Sequence, residues 1–395
     1  MTETGRPMFP HLKHCVRCCM PETQEGVDFD DMGICRSCRS TEIKMHIDWA
    51  ARERALARIM EQAKAEAGDG YDCIIPISGG KDSMFQMHVL TQVYGMKPLA
   101  VTHSHNWYSE TGWYNLQLCL EAFGVDHIMF TPARKLVNRL ARKSLVKIGD
   151  TCWHCHAGVG SFPLHIATKF RIPLLIWGES LAESSGRATY DDGPQAFDRE
   201  TFTRISAKSR VPEMVGDGIT MKDLVLYEPP SAEECEAAGI KGIYLGDYMF
   251  WDDERQTEFL RDEYGWRETT MEGTYKCYKS AECVMPGMHD FTCYLKRGYG
   301  RGTFHATMDV RNGLLTREEG FELARQTDSE RPAIMDYYCE ITGYTEAEVL
   351  DIMKGHRLAQ LKDVEVPVRQ KNRPHEEPLR PYMQRLLERY RDGKE

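Results

Sequence analysis

Residues 71–77, 97–103, 126–130 and 173–177 are short apolar runs with strand character. Between them, residues 84–90, 115–123, 134–146 and 159–170 place apolar side chains at helical intervals. Strand and helix in this rhythm predict a parallel, doubly wound α/β sheet, because parallel neighbours need a crossover connection and a helix supplies it. A fifth strand-like run, 241–248, precedes a helical pattern at 253–263. In such sheets ligands bind beyond the carboxyl ends of the strands. That rule nominates Ser78 to Ser83 after the first run, His103 to Asn106 after the second, and Gly178, Glu179 and Ser180 after the fourth.

Outside this block the pattern changes. A helical run at 43–67 leads into the block, and the polar stretch 182–217 interrupts it with little periodicity, as a segment covering a substrate would. In the last third, residues 289–295 are helical in pattern. Thr316 with Glu319, and Thr345 with Glu348, have the spacing of helix-starting capping boxes. A small helical domain over about 290–361 and a charged, proline-containing tail ending in an amphipathic helix complete the chain. The predicted organisation is a cysteine knuckle over 1–48, an α/β domain over 49–265, and a mostly helical domain with its tail over 266–395.

Composition narrows the function classes. The 395 residues carry a formal net charge of −10, which argues against a large nucleic-acid footprint. There is no apolar run of the roughly 18 residues that a membrane span needs, and the first residues lack the apolar core of a signal peptide. A cytoplasmic location is the expectation. Fourteen cysteines in such a chain point to metal ligands or reactive thiols before disulfides.

Cys15, Cys18, Cys35 and Cys38 form two C-x2-C pairs separated by sixteen residues, the spacing of a tetrahedral four-cysteine zinc site. Cys19 competes with Cys18 as ligand, but the two-residue spacing favours Cys18. An iron–sulfur or redox site is the alternative reading. Cys152-Trp153-His154-Cys155-His156 is a second sulfur-rich segment. A second zinc site or a turn lining the cleft is favoured there over a redox pair or an iron–sulfur site completed by Cys277, Cys283 or Cys293, and haem attachment does not suit a chain lacking an export signal.

The stretch Ser78-Gly79-Gly80-Lys81-Asp82-Ser83 joins a strand-like run to a helix-like run. Paired glycines there deliver bare backbone N–H groups and a helix N-terminus to a phosphate. Ser78 and Ser83 add hydroxyl donors and Lys81 a mobile cation; the plain alternative is a turn between two core elements. The spacing is not that of a Walker A loop. His103 and His105 are either ligand contacts or ordinary loop residues, and Trp107, Tyr108 and Trp113 either line a pocket or fill core. The basic, glycine-punctuated stretch 296–303 suits either a second substrate's phosphate or a solvated turn.

The six residues Ser78 to Ser83 match the SGGxDS signature of the PP-loop, or N-type, ATP pyrophosphatases. These enzymes cleave ATP to AMP and pyrophosphate, activating an oxygen as its adenylate. With the cysteine knuckle, Cys152 to Cys155, Trp177-Gly178-Glu179, Gly246-Asp247-Tyr248, Gly265-Trp266-Arg267 and the segment 296–313, nearly the whole chain resembles the N-acetyl sugar amidotransferases of surface-polysaccharide biosynthesis. The resemblance implies ATP with Mg²⁺ and an N-acetylated sugar or nucleotide sugar as substrates. It implies ammonia from a separate glutaminase partner, since no glutaminase signature is present in the chain. It further implies that Lys81, Asp82 and Ser83 act in catalysis, that Ser78, Gly79, Gly80, Lys81, Asp82, Ser83, Gly178 and Glu179 bind the nucleotide, and that Glu179 is a magnesium ligand; His103 joins the nucleotide-binding set by its place at the end of the second strand-like run. A tRNA-thiolating PP-loop sulfurtransferase with an iron–sulfur cluster is the alternative, and the acidic balance counts against it.

Overall fold

A computed structural model of the chain describes residues 5–184, 188–196 and 207–370. The amphipathic helix expected at the end of the tail lies outside the described residues.

In chain order, helices α1 (Arg36–Lys44) and α2 (Trp49–Ala67) precede strand β1 (Cys73–Pro76). The succession continues with α3 (Lys81–His88), β2 (Pro98–His103), α4 (Glu110–Phe123), β3 (His127–Phe130), α5 (Arg134–Ile148), α6 (Trp153–Phe170) and β4 (Leu174–Trp177). After the short α7 (Leu181–Ser184) and α8 (Ala232–Ala237) come β5 (Lys241–Tyr244) and α9 (Asp253–Tyr264). The C-terminal helices are α10 (Pro286–Arg297), α11 (Arg301–Arg311), α12 (Arg317–Asp328), α13 (Ile334–Thr342) and α14 (Glu346–Gly355).

The five strands form one parallel sheet in the order β3-β2-β1-β4-β5, with Ile74 opposite Leu99 on one side and opposite Leu175 on the other. The order reverses between β1 and β4, so the loops leaving these two strands flank the crevice where ligands of such sheets sit. The side-chain period of two assigns alternate residues to two cores. Cys73, Ile75, Ile77, Ala100, Leu174 and Ile176 face the layer containing α2, α3, α4 and α9. Ile74, Leu99, Val101 and Leu175 face Phe162, Leu164, Ile166 and Ala167 of α6. The sheet is therefore covered on both sides, as the continuous apolar runs of the sequence require.

The C-terminal helices start where their caps predict: Thr316 with Glu319 and Thr345 with Glu348 each form a reciprocal capping box. They share a core with the rest of the chain. Met288, Phe291, Tyr338, Val349 and Met353 pack with Val137, Ala141 and Leu145 of α5 and with Phe9 and Leu12 near the N-terminus. The cysteine knuckle rests on the same helices. Arg317 donates to the carbonyls of Cys15 and Cys18 at 2.9–3.1 Å, and Phe304 and Val310 pack against its cysteines.

Candidate active site and metal centre

Gly79 has φ +90°, and a Cβ there would come within 2.5 Å of the Gly112 carbonyl oxygen, so both its backbone angle and its close approach to α4 require glycine. The turn is pinned by its neighbours. Trp266 Nε1 donates to the Gly79 carbonyl at 3.2 Å, the Gly80 N–H donates to Ser78 Oγ at 3.2 Å, and Ser83 Oγ donates to the Gly80 carbonyl at 2.9 Å. The result is a preformed loop opening α3 at the carboxyl end of β1.

The loop forms one wall of a cavity of about 230 Å³. Ser78, Gly80, Lys81, Asp82, Ser83 and Glu179 line it from the sheet side; Lys279, Ser280, Glu282, Arg301 and His305 close it from the C-terminal side. Through Glu179, Tyr278, Lys279 and His305 it continues into a cleft of about 700 Å³ bounded by α9 and α11. The sequence-nominated loop residues and Glu179 thus converge on one chamber.

Lys81 is not the mobile cation expected from the sequence. It is buried, with its ammonium on Asp82 and at 2.5 Å from Asp253 Oδ1, and Asp253 also pairs with Lys279. Burial alone would raise the Asp253 carboxyl, yet Lys279 and Lys81 hold it well below the usual carboxylate range. Burial opposes the charge of Lys279, but Asp253, Glu179 and Asp82 hold it above an ordinary lysine. Glu179 goes the other way: burial first, then the negative Asp253 and Asp82, push it up to about 8 against the pull of Lys279 and Lys81. The cavity region therefore holds two ammonium groups paired with Asp253 and, beside them, a carboxyl group whose ionised form would be favoured by further positive charge.

Three residues of the cavity and its adjoining cleft were not singled out by sequence reasoning. Asp253 sits in the first turn of α9, where an acidic residue is ordinary helix punctuation. Lys279 and Glu282 lie in an irregular connection. Glu282 Oε2 is buried without a hydrogen-bond partner, and burial raises its carboxyl. Arg301, by contrast, belongs to the basic stretch that the sequence did flag. It lines the cavity, donates to Ser280 Oγ at 2.8 Å and pairs with Asp290, whereas Lys296 points away to the carbonyls of Ile148 and Gly149.

The nominated stretch 103–106, with Gly178 and Ser180, stays outside this cavity. The His103 ring packs among Phe130, Phe162 and Tyr227, over Gly158 where any Cβ would collide with it. Burial, and then the neighbouring His154 and His105, lower it to about 3, so it is a neutral core residue. Gly178 is a packing position: a Cβ would lie 2.3 Å from Gln86 Nε2, and its carbonyl accepts from Gly246 N–H at 2.8 Å. Trp107 is fully buried in the core shared with the C-terminal helices.

The knuckle gathers Cys15, Cys18, Cys35 and Cys38, whose sulfurs all lie within 4.8 Å of one another. Cys15 Sγ is 3.8 Å from Cys38 Sγ, and Cys18 Sγ is 3.7 Å from Cys35 Sγ. Four sulfurs about 2.3 Å from one tetrahedral zinc ion would lie about 3.8 Å apart, so the set fits zinc. Backbone N–H groups of Cys35 and Arg17 point at Cys15 Sγ at 3.2 and 3.4 Å, stabilising thiolate. Cys19 turns away and donates to the Arg317 carbonyl.

The second sulfur segment opens α6 rather than forming a turn: Cys152 is its N-cap and Cys155 lies in its first helical turn. Burial, followed by the charges of Glu282 and Asp150, pushes the Cys155 thiol up to about 12, and burial raises Cys152 as well. Among the described residues, neither thiol joins a set of three close metal-ligating atoms; the set that forms in this neighbourhood is Asp150, His156 and His289.

Comparison with known proteins finds a match in the C-terminal part. Residues 272–365 match the family of LPS biosynthesis protein WbpG-like C-terminal domains. No curated protein matches the chain. Among the described residues no helix is long and apolar enough to cross a membrane. Residues 272–365 are thus similar to a domain of lipopolysaccharide biosynthesis proteins.

Proposed function

We propose that the chain is an ATP-dependent amidotransferase that converts the acetamido group of an N-acetylated sugar into an acetamidino group during surface-polysaccharide synthesis. One observation carries the reading. The Ser78 to Ser83 loop shares its cavity with Lys279, Glu282 and Arg301, all of which lie inside the segment matching the polysaccharide-biosynthesis family. A phosphate-type loop and a sugar-pathway domain therefore face the same chamber.

The chemistry follows from what an amide lacks. Its oxygen is a poor leaving group, so ammonia cannot displace it directly. In the proposed route the amide oxygen attacks the α-phosphorus of ATP, the bond from that phosphorus to the bridging oxygen breaks, and pyrophosphate leaves. Ammonia then adds to the activated carbon, which expels AMP carrying the former amide oxygen, and the surplus proton passes to a base.

The loop N–H groups, with the Ser78 and Ser83 hydroxyls, meet the departing pyrophosphate, and Lys81, Lys279 and Arg301 offset its charge. Mg²⁺ arriving with ATP would be held by Glu179 and Asp82 and would neutralise phosphate charge. Glu282, with its unpartnered Oε2, is suited to take the ammonium proton. Ammonia comes from a separate glutaminase or from solution.

The test is release of pyrophosphate and AMP by the purified chain with ATP, Mg²⁺, ammonium and a panel of N-acetylated sugars, with mass spectrometry of the sugar. Replacement of the amide oxygen by NH, dependent on both ATP and ammonium, is expected. ATP cleavage indifferent to every acetamido sugar would overturn the assignment.

A further inference from the structure

We propose that Asp150, His156 and His289 form a second metal site, separate from the four-cysteine cluster, for a divalent ion that takes imidazole and carboxylate ligands, such as Zn²⁺ or Fe²⁺. The three residues come from different elements. Asp150 lies in the link between α5 and α6, His156 in the first part of α6, and His289 near the start of α10. One donor atom from each lies within 4.8 Å of the others.

The arrangement has the features of a built site. Donor atoms about 2.0–2.1 Å from one tetrahedral ion lie about 3.4 Å apart, and Asp150 Oδ2 is 3.5 Å from His289 Nε2. The His156 and His289 rings stack 5.3 Å apart, which sets the third ligand beside the other two. The other edge of two of the three ligands is already held, as metal-bound groups usually are. His289 Nδ1 is 2.9 Å from Asp290 Oδ1, and Asp150 Oδ1 accepts the Cys152 N–H at 2.8 Å. Asp150 is buried yet draws a cation: Lys208 Nζ lies 3.0 Å from its Oδ2. An ion entering the site replaces that ammonium. Three protein ligands leave a position open for water or a fourth ligand.

The position gives the site a purpose within the molecule. It ties α10 to the α5–α6 link, and Asp290, which holds His289, also pairs with Arg301 at the phosphate-loop cavity. A metal there would fix the arginine that faces the loop.

The test uses Co²⁺ and Zn²⁺ with the full-length protein. Elemental analysis after loading should give two equivalents per chain, falling to one in His289→Ala and in His156→Ala. With Co²⁺, a weak d–d spectrum of nitrogen and oxygen ligation should vanish in these variants while the strong thiolate charge-transfer band of the cysteine cluster persists, which also reports that the variants are folded. Lys208→Met, which removes the competing ammonium, should bind the second ion at least as tightly as the unaltered chain. A single equivalent in the unaltered protein, or two equivalents retained in both histidine variants, would overturn the proposal. Should a histidine variant fail to fold, the stoichiometry and Co²⁺ spectrum of the unaltered chain and of Lys208→Met decide it.

Discussion

Asp253 is the counter-ion to two buried ammonium groups, and replacing it with asparagine keeps the shape while removing the charge. At 2.5 Å from Lys81 the attraction is about 7 kcal/mol with an effective dielectric of about 20, before the cost of desolvation. Removing one partner of a buried pair leaves the other charge uncompensated and typically costs about 3–5 kcal/mol. Asp253→Asn should therefore unfold in urea with a stability lower by about that amount. The pH dependence is fixed by sign. A carboxylate held low contributes stability that is present above about pH 4 and lost as pH falls through its depressed value. The raised Lys279 adds stability that is lost only as pH climbs above about 10. Because Asp253 is also one of the charges that raise Glu179, the difference between variant and parent should narrow as pH rises from about 4.5 toward 8, and shrink further outside the limits set by Asp253 and Lys279. Pyrophosphate should stabilise the variant more than the parent, since two freed ammonium groups can meet it. A variant within about 0.5 kcal/mol of the parent between pH 5 and 8, or equal stabilisation of both by pyrophosphate, would refute the buried Lys81–Asp253–Lys279 relay.

Further outcomes are expected. Glu179→Gln removes a carboxyl that the fold keeps protonated up to about pH 8, so at that pH the variant should be more stable than the parent by about 1–3 kcal/mol, with the gap closing as pH falls toward 4.5; pyrophosphate release should be lost if Glu179 serves magnesium. Gly79→Ala places a Cβ in the left-handed region against the Gly112 carbonyl, and should lower stability by at least about 1–2 kcal/mol and abolish ATP cleavage, read by urea unfolding and pyrophosphate assay. Chelation or Cys18→Ser should release zinc, measured by a colorimetric chelator, and loosen α12, where Arg317 grips the knuckle, measured as faster amide exchange over 317–328. Arg301→Lys keeps the charge but loses the fork between Ser280 and Asp290, and should raise the KM for ATP.

The sheet was legible because parallel strands buried on both faces are continuous apolar runs, and each of the five appeared at its place. The meeting of the Ser78 to Ser83 loop with Glu179 in one cavity was legible for a related reason: sheet topology puts strand ends together, so residues just after β1 and β4 had to meet. His103 obeys the same positional rule but fails as a cavity residue. A strand's last side chain faces one of two sides, and this one faces α6. Lys279, Glu282 and Asp253 had no local signal, because their role comes from pairing across long stretches of chain. Asp150 and His289 were hidden in the same way, although His156 sat inside a segment already marked as chemically unusual.

The most direct measurement follows the amide oxygen. An N-acetylated sugar accepted by the protein, labelled with ¹⁸O in its acetamido carbonyl, is incubated with ATP, Mg²⁺ and ammonium, and the nucleotide product is weighed. Adenylation of the amide predicts one ¹⁸O in AMP and none in pyrophosphate. Label remaining in the sugar, or appearing in inorganic phosphate beside ADP, would contradict it.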